Sequence, residues 1–340
     1  MPTPVVLIPG DGIGPEVAAA AQRVIDAAGA DIAWTVCQAG EAAIAAGEKQ
    51  LLPQSTLDEI ASCGVALKGP CTTPVGTGFR SVNVLLRKTL DLYAAVRPIR
   101  TMAGVQSRYE DVDLVIVREN TEGLYAGVEN EIAKGVATSI KVATETASRR
   151  IAEYAFRYAR DRGRRKVSVF HKANIMKLTD GLFIRCAREV HAASFSDIEY
   201  EEVIIDAACM KMVQDPTRFD VILAENLYGD IMSDLCAGLV GGLGVTPGAN
   251  IGEKGAVFEA VHGSAPDIAG KGVANPLALV MSGVMMLNWL GSTRGERRFT
   301  EAASRIRSAY DRALAEGATT RDLGGSLGTM EFAEALVSRL

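Results

Sequence analysis

Short apolar runs alternate along the chain with longer segments in which apolar residues recur every three or four positions. Runs too short for a helix and rich in β-branched residues predict strands at 3–8, 65–67, 92–96, 113–117, 167–170, 199–205 and 221–223. Several are apolar throughout, as expected of strands covered on both faces. Pro15 is placed to open a helix that runs to about Ala28, because proline fits a first helical turn. Segment 145–160 carries Ile151, Tyr154, Ala155 and Tyr158 at i, i+3, i+4, i+7, and segment 179–190 gathers Phe183, Ile184 and Ala187 on one face. Strands and helices in alternation predict an α/β protein. The Gly-rich stretch 238–252, which contains Pro247, reads as a switch between domains.

Composition narrows the partners. A chain of 340 residues suffices for about two domains, and 48% hydrophobic with 23% charged residues allows a large core. The net charge of −5 argues against nucleic acid or an acidic membrane surface. An anionic substrate must therefore meet a local cationic cluster. Six cysteines without CxxC spacing predict reduced thiols. The first strand begins almost at Met1, which leaves no room for a signal or transit peptide, so the expected address is the cytoplasm.

Some polar residues do not suit a plain core. In Asn226-Leu-Tyr-Gly-Asp230-Ile-Met-Ser-Asp234 the aspartates stand at i, i+4 and share a face if the segment is helical. Like charges so spaced cost an isolated helix about 0.2–0.5 kcal/mol. Placement at a helix N-terminus explains one of them; a hard divalent cation, Mg²⁺ or Mn²⁺, explains both. Asp206, where Val203-Ile-Ile205 ends, suits either a third ligand or a helix cap. Arg118 follows Asp113-Leu-Val-Ile-Val117, and Arg97 follows Leu92-Tyr-Ala-Ala-Val96. Both are predicted at carboxyl ends of strands, where open α/β sheets bind ligands, and their guanidinium forks suit a carboxylate. An ordinary ion pair is the plainer alternative. In Ser81-Val-Asn83-Val-Leu-Leu-Arg87 a helix would cluster Val82, Leu85 and Leu86, put Asn83 with Arg87 on a separate exposed face and set Ser81 at the N-cap. The Gly/Pro-rich loop from Gly69 to Gly78, with Thr72, suits close approach to a ligand. Three arginines with short hydroxyl and amide groups fit a tricarboxylate better than a monocarboxylate. Lys172 and Tyr125 are candidate proton carriers, each equally at home in a structural role. Gly10-Asp-Gly12-Ile-Gly14 follows a strand and opens a helix, but its spacing is GxGxG and not GxGxxG, so a tight turn is expected and a pyrophosphate site is not.

Several longer motifs resemble the isocitrate/isopropylmalate dehydrogenase family. They are Ile8-Pro-Gly-Asp-Gly-Ile-Gly-Pro-Glu16, Arg118-Glu-Asn-Thr-Glu-Gly123, Asn226-Leu-Tyr-Gly-Asp230, Gly241-Gly-Leu-Gly244, Pro247-Gly-Ala-Asn-Ile-Gly252 and His262-Gly-Ser-Ala-Pro-Asp-Ile-Ala-Gly270. The resemblance implies an isopropylmalate dehydrogenase-like fold, not a Rossmann fold, with two α/β domains. A large cofactor-side domain would take 1–92 and 241–340, and a small central domain 93–240, with a dimer clasp at about 123–144. It further implies that Ser81, Asn83, Arg87, Arg97 and Arg118 hold substrate carboxylates. Asp230 and Asp234 of one subunit, with Asp206 of a second, would hold Mg²⁺ or Mn²⁺. Tyr125 and the second subunit's Lys172 would move protons. Thr72, His262, Gly263, Asp267, Ile268 and Asn275 would line the cofactor site. NADP-using members commonly carry Lys-Tyr where Asp267-Ile268 stands; a carboxylate accepts from a 2′-hydroxyl and repels a 2′-phosphate, so NAD is expected. Shared sites make a homodimer the smallest active unit, alone or within a larger homo-oligomer.

The run from Thr77 to Tyr93 is most similar to members that use isocitrate. The implied activity is metal-dependent oxidative decarboxylation of isocitrate to 2-oxoglutarate and CO₂ with reduction of NAD. Homoisocitrate differs by one methylene, worth only ~1–3 kcal/mol of discrimination. Members acting on 3-isopropylmalate generally present apolar groups where Ser81 and Asn83 stand. A non-catalytic regulatory subunit of a hetero-oligomer is the alternative from another class. Two departures stand out: Asp206-Ala-Ala-Cys-Met-Lys211 replaces the more usual Asp-Asn-Cys-Cys-Met-Gln, and Glu225 precedes Asn226 where a small residue or proline is common.

Overall fold

The computed structural model describes residues 1–72 and 81–340. In chain order come β1 (Thr3–Ile8), α1 (Gly14–Ala27), β2 (Ile32–Val36), α2 (Glu41–Ala45), α3 (Gln54–Cys63), β3 (Val65–Lys68) and α4 (Val82–Thr89). Next are β4 (Ala94–Arg100), β5 (Asp113–Glu119), β6 (Gly123–Ala133), β7 (Val136–Val142), α5 (Glu145–Asp161), β8 (Lys166–His171), α6 (Thr179–Ser194), β9 (Glu199–Ile204) and α7 (Ile205–Gln214). The chain continues with β10 (Val221–Ala224), α8 (Asn226–Leu239), β11 (Pro247–Ile251), β12 (Ala256–Ala260), α9 (Leu277–Arg294), α10 (Arg297–Ala315) and α11 (Thr329–Val337).

The chain divides into two compact units, one of Met1–Leu92, Thr101–Arg108 and Ala237–Leu340, the other of Tyr93–Arg100 and Tyr109–Cys236. In the first, the strand order is β2-β1-β3-β12-β11, parallel except for β11 against β12. Its central helix is α9, where Leu279, Val280, Val284, Met286, Leu287 and Leu290 are all buried. A helix apolar on every side belongs inside. A methyl added at Gly283 would stand 2.6 Å from Ile25 Cδ1, so glycine is what lets α9 approach α1. No described helix is long and apolar enough to cross a membrane.

In the second unit the order is β4-β5-β10-β8-β9, parallel except for β4 against β5. Helices α5 and α6 pack together beside this sheet; Thr144 caps α5 by accepting the Ala147 amide at 3.2 Å. β6 and β7 form a separate antiparallel hairpin whose Val128, Ile132, Val136 and Ile140 are exposed.

One sequence expectation is corrected. Arg97 does not end a strand: β4 runs through Arg97 and Pro98 to Arg100, because it pairs with β5 over its whole length, from Ala94 opposite Glu119 to Arg100 opposite Asp113. Arg118 is the penultimate residue of β5 and so stands at the carboxyl end of its strand, as expected. The Gly-rich stretch 238–252 is in part a strand, β11, its backbone paired with β12.

Candidate functional site

The β4–β5 register sets the first cluster. Ala95 faces Arg118 and Arg97 faces Ile116, so the two arginines are diagonal neighbours on one face of the pair. Arg118 is wholly buried and donates through Nε and Nη2 to Asn226 Oδ1, at 3.0 and 2.6 Å. Its Nη1 donates to Asp230 Oδ1. Arg97 pairs with Asp234 at 3.5 Å and with Asp230 at 3.6 Å, and donates to Ser233. A methyl on Gly229 would stand 2.6 Å from Arg118 Cγ, so the glycine of Asn226-Leu-Tyr-Gly-Asp230 is the space in which Arg118 lies.

Asp230 and Asp234 share a face of α8, as their spacing predicted. Their side chains are 35% and 57% exposed, while both arginines are buried. Burial pushes the Asp234 carboxyl up; Arg97 opposes this and Asp230 adds to it. The Tyr125 hydroxyl donates to Asp230 Oδ2. Burial and that bond push its pKa up, so Tyr125 holds its proton at neutral pH. Lys172 and Asp206 meet elsewhere, Nζ to Oδ1 at 2.7 Å, and the bond to Lys172 pulls the Asp206 carboxyl down. Asp206 lies in the first turn of α7. Among the described residues no three or more His, Cys, Asp or Glu side chains of one chain gather to hold a metal. The donors that do gather, Asp230 and Asp234, are all-oxygen and crowded by like charge, which fits a hard divalent cation completed by a further ligand from outside the pair.

The second cluster is in the other unit. Ser81 takes the N-cap position of α4 without capping through its side chain. Arg87, expected on an exposed face, is buried: its Nη2 meets Glu259 Oε1 at 3.1 Å, and Glu259 Oε2 meets Lys68 Nζ at 2.7 Å. Asn250 donates to the same carboxylate at 2.7 Å. Burial opposes the charge on Glu259, yet Lys68 and Arg87 outweigh it and hold the carboxyl well below the usual carboxylate range. Asn83 Oδ1 and Arg87 Nε are buried with no hydrogen-bond partner among the described residues. Buried polar groups are normally satisfied, which makes these two atoms candidate ligand contacts.

The glycine motif proves to be a brace. The Asp11 carboxylate accepts the Glu41 and Ala42 amides, at 3.0 and 2.8 Å, and the Thr72 amide at 2.6 Å. Thr72 in turn donates to Ser264 Oγ at 2.7 Å. The rest of the Gly/Pro-rich loop, 73–80, lies outside the described residues. His262 Nδ1 is 3.0 Å from Gly263 O, its Nε2 is buried without a partner among the described residues, and burial lowers its pKa, so the ring is neutral. Asp267 is exposed and Ile268 half-buried on the short turn Pro266–Ile268. Asn275 donates to Asp322 at 2.9 Å. The unpartnered His262 nitrogen and open Gly263 fit the adenosine half of a dinucleotide.

Sequence reasoning missed Lys68, Glu259, Asn250, Ser264, Ser233 and Asp322. Glu259 did carry a signal: one acid within the apolar run Ala256-Val-Phe-Glu-Ala260 requires a buried partner.

Known proteins share this arrangement of sequence and fold. Residues 4–336 match the family described as Isocitrate/isopropylmalate dehydrogenase. The chain is 52% identical to "Isocitrate dehydrogenase [NAD] catalytic subunit 5, mitochondrial" of Arabidopsis thaliana, over all of this chain and 89% of that protein. It is 51% identical to a mitochondrial regulatory subunit of NAD isocitrate dehydrogenase from Dictyostelium discoideum, over 99% of this chain and 91% of that one. The crystal structure of isocitrate dehydrogenase from Methylococcus capsulatus superposes with a TM-score of 0.94 at 50% identity, covering 100% of this chain and 99% of the other. One expectation is overturned: the relatives are named mitochondrial, which corrects the cytoplasmic address. Cysteines outside any disulfide do not identify a compartment.

Proposed function

The chain belongs to the isocitrate/isopropylmalate dehydrogenase family, and from this we propose that it carries out oxidative decarboxylation of isocitrate to 2-oxoglutarate and CO₂ with NAD as hydride acceptor. The observation that carries the reading is the pairing of buried Arg97 and Arg118 with the half-open carboxylates Asp230 and Asp234. Cations that bind carboxylates thus lie beside carboxylates that bind a cation, which suits a hydroxy acid chelated to a divalent ion.

Asp230 and Asp234, with Asp206 of a second copy, would hold Mg²⁺ or Mn²⁺. Such an ion, when bound, lowers the pKa of a coordinated hydroxyl and stabilises negative charge on oxygen. Ser81, Asn83, Arg87, Arg97 and Arg118 bind and orient the substrate carboxylates. Lys172 of the second copy takes the C2 hydroxyl proton as hydride leaves, and Tyr125, which holds its proton at neutral pH, delivers one to carbon after CO₂ departs. Thr72, His262, Gly263, Asp267, Ile268 and Asn275 receive NAD; the exposed Asp267 carboxylate disfavours a 2′-phosphate. Exposed apolar residues on the β6–β7 hairpin and at Met210, Val213 and Ile231 support a homodimer in which that hairpin is the clasp. An isolated hairpin is marginal in water unless something covers it.

A spectrophotometric panel tests the reading: isocitrate, homoisocitrate and 3-isopropylmalate, each with NAD and with NADP, with and without Mg²⁺. Isocitrate with NAD and Mg²⁺ should be the fastest combination; a faster homoisocitrate reaction, or full rate after EDTA treatment, refutes it. The Dictyostelium relative's name favours a second reading, a regulatory subunit. Under that reading the purified chain alone would show no turnover.

A further inference from the structure

The departure at Glu225 has a structural counterpart. Glu225 immediately precedes α8, and its Oε1 accepts the Tyr228 amide at 3.0 Å, capping the helix that carries Asp230 and Asp234. A cap requires one oxygen and is normally met by a short side chain. The second oxygen, Oε2, is buried without a hydrogen-bond partner among the described residues. Lys141, on β7, stands 3.7 Å from Glu225 Oε1 and also pairs with Asp180 Oδ1 at 2.6 Å. Asp180, in the first turn of α6, accepts the backbone N–H of Lys172 through Oδ2 at 2.7 Å. Lys141, Asp180 and Glu225 are 12%, 2% and 9% exposed at their side chains, so one ammonium serves two buried carboxylates. Tyr228 closes the cluster: Lys141 Nζ lies 4.7 Å from its ring centroid. Where charges are buried and sharing is forced, removing one redistributes the rest.

We propose that Glu225 is a positioning residue: by drawing Lys141 toward the start of α8, it sets how Asp180 holds the backbone at Lys172, and so places Lys172 for the proton transfer it makes in a second subunit's site. The catalytic part of this rests on the role given to Lys172 above; the structural part does not.

Glu225→Gln keeps the capping oxygen and removes the charge. Its kcat with isocitrate should fall about tenfold with KM within about twofold, the range of supporting partners that orient an active group. Amide hydrogen exchange at Lys172 should quicken by about tenfold while that of Val169, inside β8, stays as in the wild type. A Glu225→Gln protein whose Lys172 amide exchanges at the wild-type rate overturns the proposal whatever its activity. Lys141→Met leaves two carboxylates uncompensated and should be harsher; adding Glu225→Gln to it should restore part of the lost protection at Lys172, and a double variant no better than Lys141→Met overturns the link. If the wild-type chain fails to oxidise isocitrate, the proposed activity falls, and the exchange measurements still decide this proposal alone.

Discussion

At Glu259 one buried carboxylate is shared by Lys68 and Arg87, whereas at Asp230 and Asp234 two half-open carboxylates face Arg97 and Arg118. In the first cluster the acid is saturated, its carboxyl held far down, and the unmet capacity is cationic: Arg87 Nε has no partner among the described residues. In the second it is the carboxylates that are half-open, and burial with Asp230 pushes the Asp234 carboxyl up despite Arg97 and Arg118. On the proposed reading one cluster would receive negative charge and the other positive charge. A charged cluster becomes a site through what its own pairing leaves over, and not through how many charges it contains.

The largest effect should come from the acid attached to the open cluster. Tyr125→Phe should lower overall turnover by about 10²–10⁴-fold, the span of general acid–base catalysis. Reduction of the keto intermediate should survive in part, and unchanged steady-state turnover would refute the role. Glu259→Gln should cost about 3–5 kcal/mol in urea unfolding at pH 7, because it strands two buried cations. The Glu259 carboxyl is depressed on folding, so its stabilisation is complete above the unfolded carboxylate pKa and fades only as pH falls toward the lower folded value. The deficit should thus persist from neutral pH through the ordinary carboxylate range; a deficit that vanishes near pH 4 would show that the cluster is not saturated.

Mg²⁺ or Mn²⁺ at about 100 times its Kd should raise unfolding stability by ~2.7 kcal/mol, read as a thermal shift against EDTA. Asp234→Asn should abolish that shift, and a shift of equal size in the variant would take Asp234 out of the cation site. Gly229→Ala should cost about 1–3 kcal/mol, as expected of overpacking, since Arg118 Cγ occupies the space. Glu145→Ala provides the contrast: its exposed i,i+4 bridge to Arg149 should leave urea unfolding almost unchanged, and a clear loss would mean that exposed pairs here behave like buried ones.

Much of the frame is legible locally. The apolar run before Arg118 is β5, the period of 145–160 is α5, and the i, i+4 aspartates share a face because α8 is a helix. The GxGxG spacing announced a tight turn, and Gly10 and Gly12 do adopt the left-handed backbone that such a turn needs, at φ of 79° and 59°. Nothing local revealed that Asp11 between them braces α2 and Thr72. The extent of β4 was not legible, because a local stop at Arg97-Pro98 is overridden by pairing with β5 along its whole length.

By itself the sequence determined the element types, the family motifs and the carboxylates that stand together on α8. Those depend on periodicities of two and 3.6 residues and on neighbours within a turn. Tertiary structure alone decided that Arg87 is buried against Glu259, 172 positions away, and that Arg118 reaches Asn226 and Asp230 across more than a hundred. It also decided that Glu225 shares Lys141 with Asp180. A charge carries no local mark of its partner: whether it binds a ligand or a neighbouring residue depends on which side chain the fold brings within about 3 Å of it in a medium that excludes water.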